Sequence, residues 1–177
     1  APLVLPGGVV SIRVLLADDQ TLIRAGFAAL VASASDMEVV GEAADGEDAV
    51  RQARDLRPDV VLMDIRMPGI DGLSASQQIT SDPELGGVRV VVLTTFEQDD
   101  LVLAALRAGA SGFLGKSVEP VELLDAIRVV AAGDALLSPK ATSALIARLL
   151  AQPRDVPQVT SSGLDVLTER EREIVAL

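Results

Sequence analysis

Cysteine and histidine are both missing from this chain of 177 residues, as are tyrosine and tryptophan, and only three phenylalanines occur. Without cysteine there is no disulfide framework and no thiolate nucleophile, a composition that fits a reducing cytoplasm. Without histidine, every Ser-His or Cys-His mechanism is excluded, together with imidazole metal ligands and a phosphohistidine of the chain's own. Any chemistry must come from carboxylates, hydroxyls, lysine, backbone amides or a bound metal. Basic residues are also scarce, 15 against 26 acidic ones, for a net charge of −11. Such a surface does not attract DNA phosphates as a whole, so any DNA binding needs a separate segment. No apolar run has the length of a membrane span, so no membrane association is expected.

Apolar residues are plentiful, at 49%, and their arrangement is a strand followed by a helix, five times over. Short apolar runs without polar alternation predict strands buried on both faces at Ile12–Ala17, Val60–Met63, Arg89–Thr94 and Gly112–Leu114, and a further strand is expected at Glu38–Ala43. Helical periodicity places helices at Thr21–Ala32, Gly46–Leu56, Leu73–Ser81, Gln98–Ala108 and Val121–Ala132. Gly109 and Gly133 fall where helix C-caps are expected. Alternating βα units imply an α/β fold, a doubly wound parallel sheet with helices on both faces. Residues 1–11 read as an N-terminal tail, and residues 12–133 as the α/β domain. Residues 134–164 read as a linker containing one helix, Pro139–Ala151, with Ala141, Leu145 and Leu149 on one stripe. In residues 165–177, Thr168 and Glu171 form a capping box that opens a further helix.

The chemistry concentrates at strand ends. Asp18 and Asp19 follow the first strand, Asp64 follows the third, the pair Thr94-Thr95 ends the fourth, and Lys116 follows the fifth. In open α/β sheets the carboxyl ends of the strands line the ligand crevice. Three carboxylates held together repel by about 1–4 kcal/mol per pair at ~4 Å, and a divalent cation removes that cost. Oxygen ligands of this kind suit Mg²⁺. Asp64 is then either a metal ligand or a nucleophile that accepts a phosphoryl group. A hydroxyl and an ammonium nearby favour the second role, because they can hold phosphoryl oxygens.

The strings Val14-Leu15-Leu16-Ala17-Asp18-Asp19, Asp64-Ile65-Arg66-Met67-Pro68-Gly69-Ile70-Asp71-Gly72, Val92-Leu93-Thr94-Thr95 and Ala108-Gly109-Ala110-Ser111-Gly112-Phe113-Leu114-Gly115-Lys116 resemble the receiver domain of two-component response regulators. The resemblance runs from about Ile12 to Ala132 and is specific, with four motifs in order. Leu167-Thr168-Glu169-Arg170-Glu171 resembles the opening of a LuxR-type helix-turn-helix domain, which points to the NarL/FixJ class with an incomplete output domain. The resemblance implies the flavodoxin-like (βα)5 strand order 2-1-3-4-5. It further implies Asp64 as phosphoacceptor, and Asp18, Asp19, Asp64 and the Arg66 backbone carbonyl as ligands of Mg²⁺ or Mn²⁺. Thr94 becomes the switch hydroxyl, Lys116 the phosphoryl counter-ion and Phe113 the aromatic switch, although Phe113 also suits a plain core position. The implied partners are a sensor histidine kinase, a second copy in a homodimer, and promoter DNA through the output domain alone. The implied location is cytoplasmic.

Four positions bear on how closely the common pattern is followed. Ser117 stands where many receivers have a proline, Gln20 where this class often has histidine, and Arg66 and Phe96 occupy positions that shape access of water to the acyl phosphate. Three rival readings remain. An aspartyl-nucleophile phosphohydrolase normally carries a second acid two residues after the nucleophile, where Arg66 stands. A flavin-binding module needs aromatics and a hydroxyl-rich first loop. A receiver-like module that is never phosphorylated normally lacks one of the acids, the threonine or the lysine, and none is lost.

Overall fold

The computed structural model describes residues 10–95 and 98–152, and in it the predicted alternation becomes a parallel sheet between two layers of helices. Residues 1–9 of the N-terminal tail, Phe96, residues 153–164 of the linker and the helix opening near Thr168 lie outside the described residues. Residues up to Ile146 belong to one compact unit, and residues 147–152 are the described part of a second.

The strands are β1 (Ile12–Ala17), β2 (Met37–Ala43), β3 (Val60–Asp64), β4 (Arg89–Thr94), β5 (Gly112–Gly115) and β6 (Leu136–Leu137). They lie in the order β2-β1-β3-β4-β5-β6, every pair parallel. The predicted order is therefore present, and β6 extends it. With two residues, β6 is too short for a periodicity to reveal. It is held by the Leu136 N–H donating to the Ser111 carbonyl at 2.9 Å and the Ser138 N–H donating to the Phe113 carbonyl at 3.1 Å.

The helices are α1 (Thr21–Ala32), α2 (Gly46–Leu56), α3 (Gly72–Ser81), α4 (Asp99–Arg107), α5 (Pro120–Ala131) and α6 (Pro139–Ala151), each within one residue of its predicted ends. A short 3-10 turn at Pro83–Leu85, stapled by the Asp82 carboxylate accepting the Glu84 N–H at 3.0 Å, adds to the expected elements.

Strand residues alternate between two cores. Leu15, Ala17, Val61, Met63, Val90 and Val92 pack under α2, α3 and α4. Val14, Leu16, Val60, Leu62, Val91 and Leu93 pack under α1 and α5. Both faces are covered over the central strands β1, β3 and β4, which is why these are apolar without alternation, whereas β2 at the sheet edge keeps Glu38 and Glu42 exposed. Two helix ends use glycine where only a left-handed residue closes the last turn. Gly109 has φ +85° and Gly133 φ +96°. In each case the residue after the glycine bonds back five positions, Ala110 N–H to the Ala105 carbonyl and Asp134 N–H to the Val129 carbonyl. That is the Schellman pattern. The α6 stripe is shifted from its predicted form: Ala141 and Ala144 are buried, while Leu145 is only half-buried. Small residues let the start of α6 sit close to the sheet edge, and leucine at 145 does not enter.

Candidate functional site

Because β1 and β3 are neighbours, paired Ala17 to Met63, the residues that follow them emerge side by side at the carboxyl rim of the sheet. Asp18 and Asp64 are buried there, at 4% and 6% exposure, while Asp19 is exposed. One carboxylate oxygen from each of Asp18, Asp19 and Asp64 lies within 4.8 Å of the others. Lys116 follows β5, and its backbone N–H donates to the Thr94 carbonyl at 2.8 Å. Its Nζ stands 2.7 Å from Asp18 Oδ2 and 3.2 Å from Asp64 Oδ1, with all three side chains nearly buried. One ammonium thus bridges two of the three acids.

Burial pushes the Asp64 carboxyl above its usual range. The Lys116 ammonium pulls it back, the Asp18 charge pushes it further up, and hydrogen bonds from Lys116 and the Ile65 N–H pull it down. The donor set is hard oxygen throughout, and Lys116 offsets only one of the three negative charges. These residues therefore fit a small divalent cation such as Mg²⁺.

The loop after Asp64 is held against it by close backbone approach. The Gly72 N–H donates to the Ile65 carbonyl at 2.8 Å. A Cβ on Gly72 would land on the Asp64 carbonyl oxygen, and one on Gly46 would strike the Ile70 carbonyl. Asp71 caps α3 by accepting the Ser74 N–H at 2.7 Å, and the buried Ser76 hydroxyl donates to the Gly72 carbonyl at 2.6 Å.

Thr94 ends β4 and is 5% exposed, whereas Thr95 beside it is exposed. The Asp64–Leu93 pairing sets Thr94 one step beyond Asp64 on the neighbouring strand. Phe113 is fully buried; paired to Val92, it shares its core layer with Val102, Ala105 and Ala141. That burial is worth about 1.5–3 kcal/mol. Arg66 is exposed, and no cis peptide occurs among the described residues, so Lys116–Ser117 is trans. Gln20 is the N-cap of α1 without a side-chain capping bond; the Asp18 carboxylate accepts the Gln20 N–H at 2.9 Å instead. The structure thus brings Asp18, Asp19, Asp64 and Lys116 together, sets Thr94 on the same rim, and places Phe113 in the core.

Two features were not legible from residue patterns. One is the close approach at Gly72, which the sequence shows only as a turn. The other is Arg24 on α1. Its Nη1 donates to the Asp18 carbonyl at 2.6 Å and its Nε to Glu42 Oε2 at 2.9 Å. The available signal was a cation next to Ile23 on the inward stripe of α1.

Comparison with known proteins agrees with this fold. Residues 14–128 match the family model of the response regulator receiver domain. The response regulator GacA of Pseudomonas viridiflava is 41% identical over 94% of this chain and 74% of its own length. The transcriptional regulatory protein LiaR of Bacillus subtilis is 41% identical over 94% of this chain and 75% of its own. Among solved structures, a LuxR-family two-component response regulator from Aurantimonas sp. SI85-9A1 superposes with a TM-score of 0.73 at 34% identity, covering 79% of this chain and 99% of that one. The receiver domain of the putative response regulator NarL from Mycobacterium tuberculosis gives 0.67 at 36% identity, covering 70% and 98%. The chain belongs to the response regulator receiver family, and within it to the LuxR/NarL type of two-component response regulators.

Proposed function

We propose that this chain is a phosphorylation-controlled switch in which Asp64 accepts a phosphoryl group. The observation that carries the reading is the Lys116 ammonium set 3.2 Å from a buried Asp64 carboxylate inside a cluster of three acids. Asp18, Asp19, Asp64 and the Arg66 carbonyl are the residues that would hold Mg²⁺, or Mn²⁺ in its place. Such a cation, when bound, neutralises the acids and the phosphoryl oxygens.

The chain's own residues do the rest. An Asp64 carboxylate oxygen attacks the phosphorus of the donor. An O–P bond forms, and the bond from phosphorus to the leaving group breaks, its electron pair going to that group. The donor is the phosphohistidine of a sensor kinase or a small acyl phosphate. Lys116 moves from carboxylate to a phosphoryl oxygen, and the Thr94 hydroxyl donates to another, so that charge is spread over held oxygens. Phe113 and Thr94, both on or beside the strands next to α4, couple that local change to a second packing of the α4 and α5 faces. The change would alter self-association into a homodimer and free a DNA-binding helix of the output domain, of which residues 165–177 are the opening after a linker at 134–164 and a receiver at 12–133.

The test is incubation with labelled acetyl phosphate. Label that becomes protein-bound with Mg²⁺ and is abolished by a chelator supports the reading. Equal labelling with the metal removed contradicts it, and so does steady turnover of a phosphomonoester, which would indicate a hydrolase.

Lys116→Ala separates the two services of the ammonium. Removing one partner of a buried ion pair costs about 3–5 kcal/mol, because the remaining charges lose their compensation. Metal-free Lys116→Ala should therefore melt well below the parent. Mg²⁺ should restore more stability to the variant than to the parent, since it takes over the neutralisation and no longer competes with Nζ. Thermal melts with and without Mg²⁺ check this; a metal-induced rise no larger than in the parent contradicts it.

A further inference from the structure

The acid pair at the end of β1 is held by a guanidinium that no step of the phosphoryl chemistry uses. Arg24, one turn into α1, is 14% exposed, while Arg51, Arg54, Arg57 and Arg128 keep 70%, 54%, 64% and 41% of their side-chain surface. Burying a guanidinium is costly unless its donors are used. Here they are: Nη1 donates to the Asp18 carbonyl at 2.6 Å, and Nε to Glu42 Oε2, on β2, at 2.9 Å.

The choice of the Asp18 carbonyl matters because a peptide unit is planar. The Asp18 carbonyl, the Asp19 N–H and the Asp19 Cα lie in one plane, so fixing that oxygen fixes the base from which the exposed Asp19 side chain projects. The N-terminal side of Asp18 is held separately, by its N–H donating to the Ala43 carbonyl at 3.0 Å. Its carboxylate is held by the Gln20 N–H at 2.9 Å and by Lys116 at 2.7 Å. Arg24 governs the step from Asp18 to Asp19.

We infer that Arg24 is a positioning residue for the cation site, clamping the Asp18–Asp19 peptide plane against β2 through Glu42. The inference rests on the proposed role of Asp18, Asp19 and Asp64 as metal ligands. It has a distinguishing sign. As a bare positive charge beside three acids, Arg24 would repel a cation, and its removal would tighten metal binding. As a clamp, its removal lets Asp19 swing and weakens binding, and the loss of an outer partner of a metal ligand typically costs 10–100-fold in affinity.

The test is calorimetric titration of the 177-residue chain with MgCl₂ and no phosphodonor, alongside thermal melts. Arg24→Gln is expected to bind Mg²⁺ about tenfold more weakly than the parent. Arg24→Lys keeps the charge but lacks the planar fork that reaches both oxygens; it is expected to weaken binding as well, and Glu42→Gln to weaken it less. Tighter binding in Arg24→Gln with unchanged binding in Arg24→Lys overturns the inference in favour of simple charge. Unchanged affinity in both variants with a lowered melting point overturns it in favour of a purely structural bond. A parent chain that shows no Mg²⁺ binding overturns the metal reading itself, and the clamp with it.

Discussion

Asp64→Asn protein is expected to take up no label from acetyl phosphate in Mg²⁺, while remaining folded and more heat-stable than the parent near neutral pH. The first half follows from chemistry: a carboxamide has no anionic oxygen to attack phosphorus, and Ile65 and Arg66, which follow at the end of β3, supply no second acid. The second half follows from burial. Asp64 is 6% exposed, and desolvation, the largest influence on it, raises its folded-state pKa above the ordinary value of 3.8. A group with a raised folded pKa stabilises the fold fully only below the unfolded value, and that contribution is lost as pH rises through the folded value. The ionised parent therefore carries a penalty at neutral pH that the isosteric amide does not. Melting in the absence of Mg²⁺ should show the variant a few degrees higher at pH 7, the gap closing as pH falls toward 3.8. A variant that still accepts label, or whose advantage grows toward acid, contradicts this.

Gly72→Ala is expected to damage both fold and site. Gly72 is buried at the first turn of α3, and the added methyl would meet the Asp64 carbonyl oxygen, with the Ile65 Cα also in its way. Those are backbone atoms of the phosphoacceptor's own strand end and cannot rotate aside. The loop must move, and with it go the Gly72 N–H bond to Ile65, the Asp71 cap and the buried Ser76 bond to the Gly72 carbonyl. Overpacking typically costs 1–3 kcal/mol, and a lost cap adds ~1 kcal/mol, so a destabilisation of about 2–4 kcal/mol is expected in chemical denaturation. The folded fraction should label more slowly than the parent. Gly26→Ala is the control, since a methyl added in the interior of α1 would have nothing within 4 Å of it; it should stabilise by up to about 1 kcal/mol, because alanine is the better helix former. Equal stability of Gly72→Ala and Gly26→Ala would contradict the packing argument.

The strands and helices were legible because short apolar runs alternate with helical stripes between turn residues. The run Val60–Met63 reads as a strand covered on both faces, and it packs into two separate cores. The strand-end residues were legible for a related reason. In a parallel sheet every carboxyl end faces the same way, so Asp18, Asp19, Asp64, Thr94 and Lys116 converge once the strands are correctly bounded and ordered. Burial also separates Thr94 from Thr95, a choice that spacing alone leaves open. What was not legible depends on contacts between distant segments. The two residues of β6 pair only because α5 returns the chain to the edge of β5. Arg24 reaches a backbone oxygen and a β2 side chain 18 residues away, and Gly72 is needed because of an atom in another element. Phe113 is fully enclosed in the core, so its aromatic identity in the sequence is explained by packing before any motion is invoked.

Reduction with borohydride is the sharpest measurement, because it converts an aspartyl phosphate to homoserine and leaves a free aspartate untouched. The chain would be treated with acetyl phosphate and Mg²⁺, reduced, digested and sequenced by mass spectrometry. Homoserine at position 64, dependent on the metal, is the predicted result. Homoserine at position 18 or 19, or none anywhere while label is bound, would contradict it.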